Sequence, residues 1–235
     1  MKKTTLLCIV LIAIMSEMYS QNNAGEVFYG HKIGSFAIDT SKIANTGVRS
    51  VMKQQYIKKK KILSYDVDVY KLQFNNSFSL FEPIKTMASD ANPEYKYAIN
   101  NSIYFYDRAK KVYSIQKNLF GTTYVVEDDR AMQWEITSET ADKHGFKCTK
   151  AISIYANEKG VETIVTAWFT ASVPLQLGPV NYNGLPGLIV EISHMDNTYY
   201  LRRIEYTYVS IEDNRKGKTI SIEEYNKLIQ KSVGF

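Results

Sequence analysis

Apolar and polar residues change places at short intervals along most of this chain, and turn residues punctuate the runs. Strand-like segments of this kind fall at Glu26 to Phe36, Asp66 to Phe74, Phe78 to Phe81, Ser102 to Tyr106, Lys111 to Gln116, Thr122 to Glu127 and Ala131 to Thr137. The clearest pair is Phe146 to Tyr155 and Val161 to Thr170, flanking Asn157-Glu158-Lys159-Gly160, a good hairpin connection. Leu188 to Ser193 and Thr198 to Val209 flank His194-Met195-Asp196-Asn197 as a second hairpin. A helical period appears twice. Ser41 to Lys60 places Ile43, Val48, Val51, Met52 and Tyr56 roughly on one side, although Gly47 weakens it by about 1 kcal/mol relative to alanine. At the C-terminus Ser221 and Glu224 form a capping box ahead of the apolar stripe Tyr225, Leu228 and Ile229. Thr86 to Tyr97 reads as a loop around Pro93. Eighteen tyrosines and ten phenylalanines add to the strand preference. The pattern predicts an α+β, mainly β fold: a curved antiparallel sheet or open half-barrel, with an N-terminal helix and a short C-terminal helix covering it.

One stretch departs from this rhythm. Between Ala167 and Ile192, three of the five prolines (Pro174, Pro179, Pro186) fall close together, interleaved with Gly178, Gly184 and Gly187. The residues around them are mostly apolar. An exposed loop is normally polar, because its backbone groups face water, so an apolar loop stiffened by proline suggests a shaped piece of chain packed on a sheet. Pro186-Gly187 fits the centre of a type II turn, whose second position needs positive φ. Trp168 and Phe169 on the preceding strand should face opposite sides, one of them packing beneath the loop. Two roles follow. The loop completes the core at the sheet's open edge or end, which its apolar density favours, or it rims a pocket for an apolar or amphipathic ligand. The candidate ligand-binding positions are Trp168, Pro174, Gly178, Pro179, Gly184, Leu185, Pro186, Gly187, Leu188 and Ile189.

The start of the chain changes the setting. Lys2 and Lys3, the apolar run Leu6 to Met15 and the small Ser20 read as a signal peptide over residues 1–20, cleaved near Ser20. The apolar run is too short for the roughly 20 residues a spanning helix needs. Cys8 lies too early in that run, behind a bulky Leu7, for a lipidation site. The product is expected to be exported to the periplasm or cell surface as a single domain over residues 21–235, with no transmembrane segment. A net charge of +5 points to no particular partner, and the basic run Lys58 to Lys61 reads as a solvated helix end or loop, not a nucleic-acid site.

Candidate chemistry is sparse. After processing Cys148 is the lone cysteine, so no internal disulfide is expected. Phe146, Cys148, Ile152 and Ile154 share an even spacing, which favours a small buried core residue. His31, His144 and His194 are isolated, and His144 with Cys148 does not complete a metal site. Asp128-Asp129 before Arg130 should point to opposite faces, a turn or cation-binding surface more naturally than an acid–base pair. No nucleophile elbow, phosphate loop, dinucleotide fingerprint or HExxH occurs. No catalytic residue, metal ligand or cofactor is assigned, and nothing requires an enzyme.

Gly184-Leu-Pro-Gly-Leu-Ile189, preceded by Gly178-Pro179, Pro174 and Ala167-Trp-Phe-Thr170, resembles the GLPGLI family of exported Bacteroidetes proteins. Tyr70-Lys-Leu-Gln-Phe followed by Ser77-Phe78, Trp134-Glu-Ile136 and Cys148-Thr-Lys-Ala151 agree with it, from about Tyr70 to the C-terminus. The segment Glu26 to Lys61 matches no family pattern. The resemblance implies a protein of unknown function, of a kind often encoded near outer-membrane transport components, and brings no catalytic residue. At fold level the element order also looks like the open half-barrel of lipoprotein carriers, an analogy that does not establish function. Three functions are compatible with these readings. The first is a periplasmic or surface binding protein for a lipid, another apolar ligand or an envelope partner. The second is an interaction module docking to an outer-membrane transport assembly, through an aromatic face of Tyr200, Ile204, Tyr206 and Tyr208. The third is a hydrolase of dispersed groups, requiring Cys148 exposed beside His144.

Overall fold

The structure, a computed structural model, describes residues 24–34, 46–85, 93–156 and 162–233. Half-buried alternation becomes strands β1 (Gly25–Ile33), β2 (Tyr70–Phe74), β3 (Phe78–Pro83), β4 (Ile103–Asp107), β5 (Val112–Leu119), β6 (Thr122–Asp128), β7 (Glu135–Lys143), β8 (Phe146–Ala156), β9 (Glu162–Thr170), β10 (Leu188–His194), β11 (Asn197–Tyr206) and β12 (Lys218–Ser221). They form one open sheet in the order β12-β6-β5-β4-β3-β2-β1-β11-β10-β9-β8-β7. Two meanders, β2 to β6 and β7 to β11, are joined at the centre by β1, which pairs antiparallel with both β2 and β11. The sheet is mixed, because β12 runs parallel to β6.

Tight hairpins set the register of both meanders. Phe120-Gly121 (φ 50° and 82°) joins β5 to β6, and His144-Gly145 (φ 49° and 84°) joins β7 to β8. Positive φ at both central residues is what a two-residue type I′ turn demands, and its twist matches that of the strands.

The sheet bends around one face. Phe81 on β3 and Tyr199 on β11 stand three strand spacings apart, roughly 14 Å in a flat sheet, yet their ring centroids are 6.4 Å apart. Tyr29, Tyr70, His31, Leu72, Ile192 and Leu201 fill this concave side and form the main core with Ala151, Val165, Ala167 and Phe169. His31 lies inside it, stacked on Tyr199 at 4.6 Å with its Nε2 3.0 Å from Asn197 Oδ1.

The helices cover less than expected. Helix α1 (Thr46–Ile62) has no buried residue and lies against α2 (Pro93–Ala98) and the end of β1, not over the sheet. Residues 93–97, expected as loop, are helical from Pro93 onward; proline at a first helical turn gives up an N–H that would be unpaired anyway. The remainder of the expected loop, residues 86–92, lies outside the described residues, as do the signal segment and the start of the Ser41–Lys60 helix. Helix α3 (Ile222–Val233) does cap one end of the sheet, where Ile222, Tyr225 and Ile229 pack on Val126, Tyr124 and Ile220. Its capping box is formed: Glu224 N donates to Ser221 Oγ, and Ser221 N to Glu224 Oε2, both at 3.2 Å. Leu228, expected in the stripe, faces solvent instead. Among the described residues no helix is long and apolar enough to cross a membrane.

Candidate functional site

The glycine-proline connection, residues 171–187, lies on the concave face. Its first half alternates like a strand: Val173, Leu175 and Leu177 are buried, while Pro174 and Gln176 are exposed. Leu175 N donates to Val173 O and Leu177 N to Leu175 O, each at 2.8 Å, so two three-residue turns follow one another. The ring-fixed φ of Pro174 suits the centre of the first. The loop is then bonded to the strand it precedes, through Leu188 N to Val173 O and Ile189 N to Leu177 O at 3.0 Å. Gly178 and Pro179 are buried, and a Cβ on Gly178 would sit 2.7 Å from the Ile189 side chain.

The GLPGLI residues themselves differ from the expected type II turn. Gly187 N donates to Leu185 O at 2.8 Å across Pro186, and positive φ occurs at Gly184 (88°), not at Gly187. Gly187 is needed for space, since a Cβ there would lie 2.1 Å from the Thr170 carbonyl oxygen. Gly184 and Pro186 are exposed, whereas Leu185, Leu188 and Ile189 are among the most buried side chains of the protein.

Polar anchors hold the loop at its far side. Trp134 Nε1 donates to Asn183 O at 2.8 Å, and Tyr29 Oη to Ile189 O at 2.8 Å. Tyr182 Oη lies 2.9 Å from His194 Nδ1, and Thr163 Oγ1 2.9 Å from His194 Nε2. Burial pushes the His194 imidazole down from its usual pKa, and a neutral ring flanked by two hydroxyls can donate to one and accept from the other.

Trp168 parts company with the other nine positions. Phe169 packs beneath the loop, while Trp168 points to the convex face opposite Glu191 and Lys150, with Lys143 Nζ 5.2 Å from its ring centroid. There the β7–β8 turn folds back across the sheet. Glu191, the single charge in Leu188-Ile-Val-Glu-Ile192, accepts from Lys143 Nζ at 2.8 Å and bonds His144 Nε2 at 2.9 Å. Burial alone would raise its pKa, but the Lys143 and His144 hydrogen bonds, with the charges of Lys143 and Lys32, hold it below the ordinary carboxylate value. The His144 ring also stacks on Tyr200 at 5.2 Å. Sequence reading left Glu191 out; its one signal was a charge inside an otherwise apolar strand.

Cys148 is buried beneath this turn, and its thiol donates to Phe146 O at 3.5 Å. Burial pushes its pKa up to about 11, so it is no thiolate at neutral pH, and the ring of His144 is engaged by Glu191. Cys148 belongs to the main core as expected, but the strand face it shares opens to solvent farther along: Ile154 and its cross-strand partner Ile164 are 64% and 65% exposed. Asp128 and Asp129 do part company, Asp128 buried and held by Arg130 Nε and Nη2 at 2.7 and 2.8 Å, Asp129 exposed. Among the described residues no group of three or more His, Cys, Asp or Glu side chains is arranged to hold a metal ion.

The expected aromatic face on β11 is divided by a bulge. Pairing with β1 shifts between Phe28 and Tyr29, so Tyr200 faces the convex side while Ile204 turns inward against the core. Tyr206 and Tyr208, 47% and 88% exposed, stand at the end of β11 beside a groove of about 550 Å³ that Asn75, Phe78 and Ile211 also line. A second groove, of about 520 Å³, lies between α1 and α2. Neither is lined by any of the ten candidate positions.

Comparison with known proteins places this geometry only broadly. Residues 155–191, which include the loop, Trp168 and Glu191, match a family described as a protein of unknown function (Porph_ging). No curated protein matches. Among solved structures the chain is similar to PNGF-II in its P21 crystal form, with a TM-score of 0.56 at 13% identity over 89% of this chain and 34% of that one. The C2 form of PNGF-II gives 0.53 at 12% identity, over 89% and 33%. The chain thus spans about a third of PNGF-II, and the likeness is one of fold alone.

Proposed function

We propose that this chain is an exported interaction module of the GLPGLI type, which docks an envelope protein through its surface instead of enclosing a small ligand beneath its signature loop. The observation that carries the reading is the burial of the loop's apolar residues: Leu185 is 1% exposed and Leu177 2%. A ligand under the loop would have to displace them and the Trp134 and Tyr182 anchors. The loop then acts as a filling that gives the concave side a fixed shape. A surface suited to recognition among the described residues is the β11 end, where Tyr206 and Tyr208 present rings to solvent beside an open groove. Tyrosine is well suited to this, since it offers a large contact area with a polar tip at little conformational cost.

The test is site-specific photocrosslinking in cells that export the protein. A photoreactive phenylalanine at position 208 should capture one envelope protein, and the Tyr206→Ser variant should weaken that capture. Position 186, on the exposed crest of the loop, should capture nothing. Co-purification of a lipid that is lost in Leu185→Trp would reverse the reading in favour of an apolar-ligand carrier.

A further inference from the structure

We infer that helix α1 seats the protein on an anionic lipid surface. Residues 46–62 carry six cations, Arg49, Lys53 and Lys58 to Lys61, and no acidic residue. A stable helix in a folded domain normally owes its stability to burying an apolar face; α1 does so only in part, through Tyr56 and Ile62, which pack half-buried on Ile33, Leu63 and Ala98. Its other apolar residues are offered outward. Val48 and Val51 are 48% and 53% exposed, and at helical spacing they continue the stripe of Met52 and Ile62 that lines the α1–α2 groove. Tyr97, 88% exposed, stands at its rim. Exposed apolar residues set among lysines let a helix settle on the headgroup layer, held chiefly by charge with a few side chains reaching inward.

Charge geometry selects lipid over a protein partner. Successive helical residues are about 100° apart, so Lys58, Lys59, Lys60 and Lys61 point all around the helix. A single acidic patch on a protein could meet only part of that ring. Lys58 is already paired with Glu94 at 3.2 Å, and the diffuse negative potential of a bilayer attracts the other three without matching each one, acting over about a Debye length. The proposal is independent of the β11 docking surface, and its test reads a different part of the molecule.

The test is co-sedimentation of residues 21–235 with vesicles of 30% phosphatidylglycerol in phosphatidylcholine, against pure phosphatidylcholine, at low and high salt. The expected result is binding to the anionic vesicles alone, weakened by salt. Replacing Lys58 to Lys61 by glutamine should weaken it on the order of tenfold or more. Val51→Asp should weaken it as well, with the circular dichroism and melting temperature of both variants matching the parent. Absence of binding to anionic vesicles would overturn the proposal, as would binding indifferent to both variants. Equal capture of soluble short-chain phosphatidylglycerol, insensitive to Val51→Asp, would mean a plain anion site. Protection of α1 in a dimer of this chain, read by sedimentation velocity and amide exchange, would mean that a second copy occupies the face.

Discussion

Gly184 and Gly187 sit in one short turn for different physical reasons, and alanine should separate them. At Gly187 a Cβ would meet the backbone oxygen of Thr170, which cannot rotate away; overpacking of this kind costs about 1–3 kcal/mol, and the upper end is expected here. At Gly184 a Cβ meets open space, and the cost is that of left-handed backbone, about 1 kcal/mol. Denaturant titration of the two variants should rank them so; the reverse order would refute the assignment of the turn. The dipeptide Pro186-Gly187 suggested the opposite, because a type II turn and a close backbone approach both call for glycine in a sequence. His31 supplies a second residue-scale prediction. Burial holds its pKa at about 4, against 6.5 in the unfolded chain, with the Asn197 hydrogen bond opposing the shift. A base whose folded pKa is depressed stabilises fully above the unfolded value, so this contribution is present above pH 6.5 and lost as the pH falls toward 4. The loss amounts to about 3 kcal/mol. His31→Phe should flatten the stability profile across that window, and an unchanged slope would mean that His31 titrates normally.

Elements were most legible where a turn or cap is written in residue identity. Ser221 and Glu224 form the box their spacing announced, and Ser221→Ala should cost about 1 kcal/mol. Amide exchange should locate that loss in the first turn of α3. The second hairpin, expected from its turn residues, forms as β10 and β11, with a tighter turn at Met195-Asp196 and with β11 ending at Tyr206 instead of Val209. Where geometry leaves no mark in composition, the reading failed. The β11 bulge exchanges the faces of Tyr200 and Ile204, yet a bulge is one extra residue among ordinary ones. Strand β7 extends to Lys143, not Thr137, because its charged residues lie on a solvated edge where apolar alternation is not needed. The fold-back of the β7–β8 turn was equally hidden, and it carries its own prediction. Glu191→Ala strands Lys143 and His144 beside a buried site and should cost about 2 kcal/mol. That is less than the 3–5 typical of fully buried pairs, since Lys143 reaches solvent. Glu191 is a carboxylate with a depressed pKa, so its contribution holds above about pH 4.5 and fades below it. The variant should therefore converge with the parent in acid, and a gap that persisted there would count against the ion pair.

On the scale of the whole molecule, the mainly β character followed from aromatic-rich runs and closely spaced turns, but the closing of the sheet's ends did not. Pairing of β12 with β6 brings together residues far apart in sequence, and its parallel sense makes the sheet mixed; local alternation carries no trace of either. What does unify the molecule is the loop, whose apolar side chains belong to the same core as β1, β2 and β10. If it is part of that core, it cannot melt alone. The two tryptophans make this measurable, because Trp134 bonds the loop and Trp168 lies on the other face. With Trp168→Phe as background, the remaining fluorescence reports the loop, while far-ultraviolet dichroism reports the strands. Both signals should move at one denaturant concentration. Leu185→Ala should then lower both midpoints together, stability falling by the 2–5 kcal/mol of a large-to-small core substitution, nearer the upper end because backbone bonds on both sides of Leu185 limit collapse into the cavity. An early change in Trp134 fluorescence, ahead of the strands, would make the loop a lid over a ligand site and restore the carrier reading in place of the interaction module.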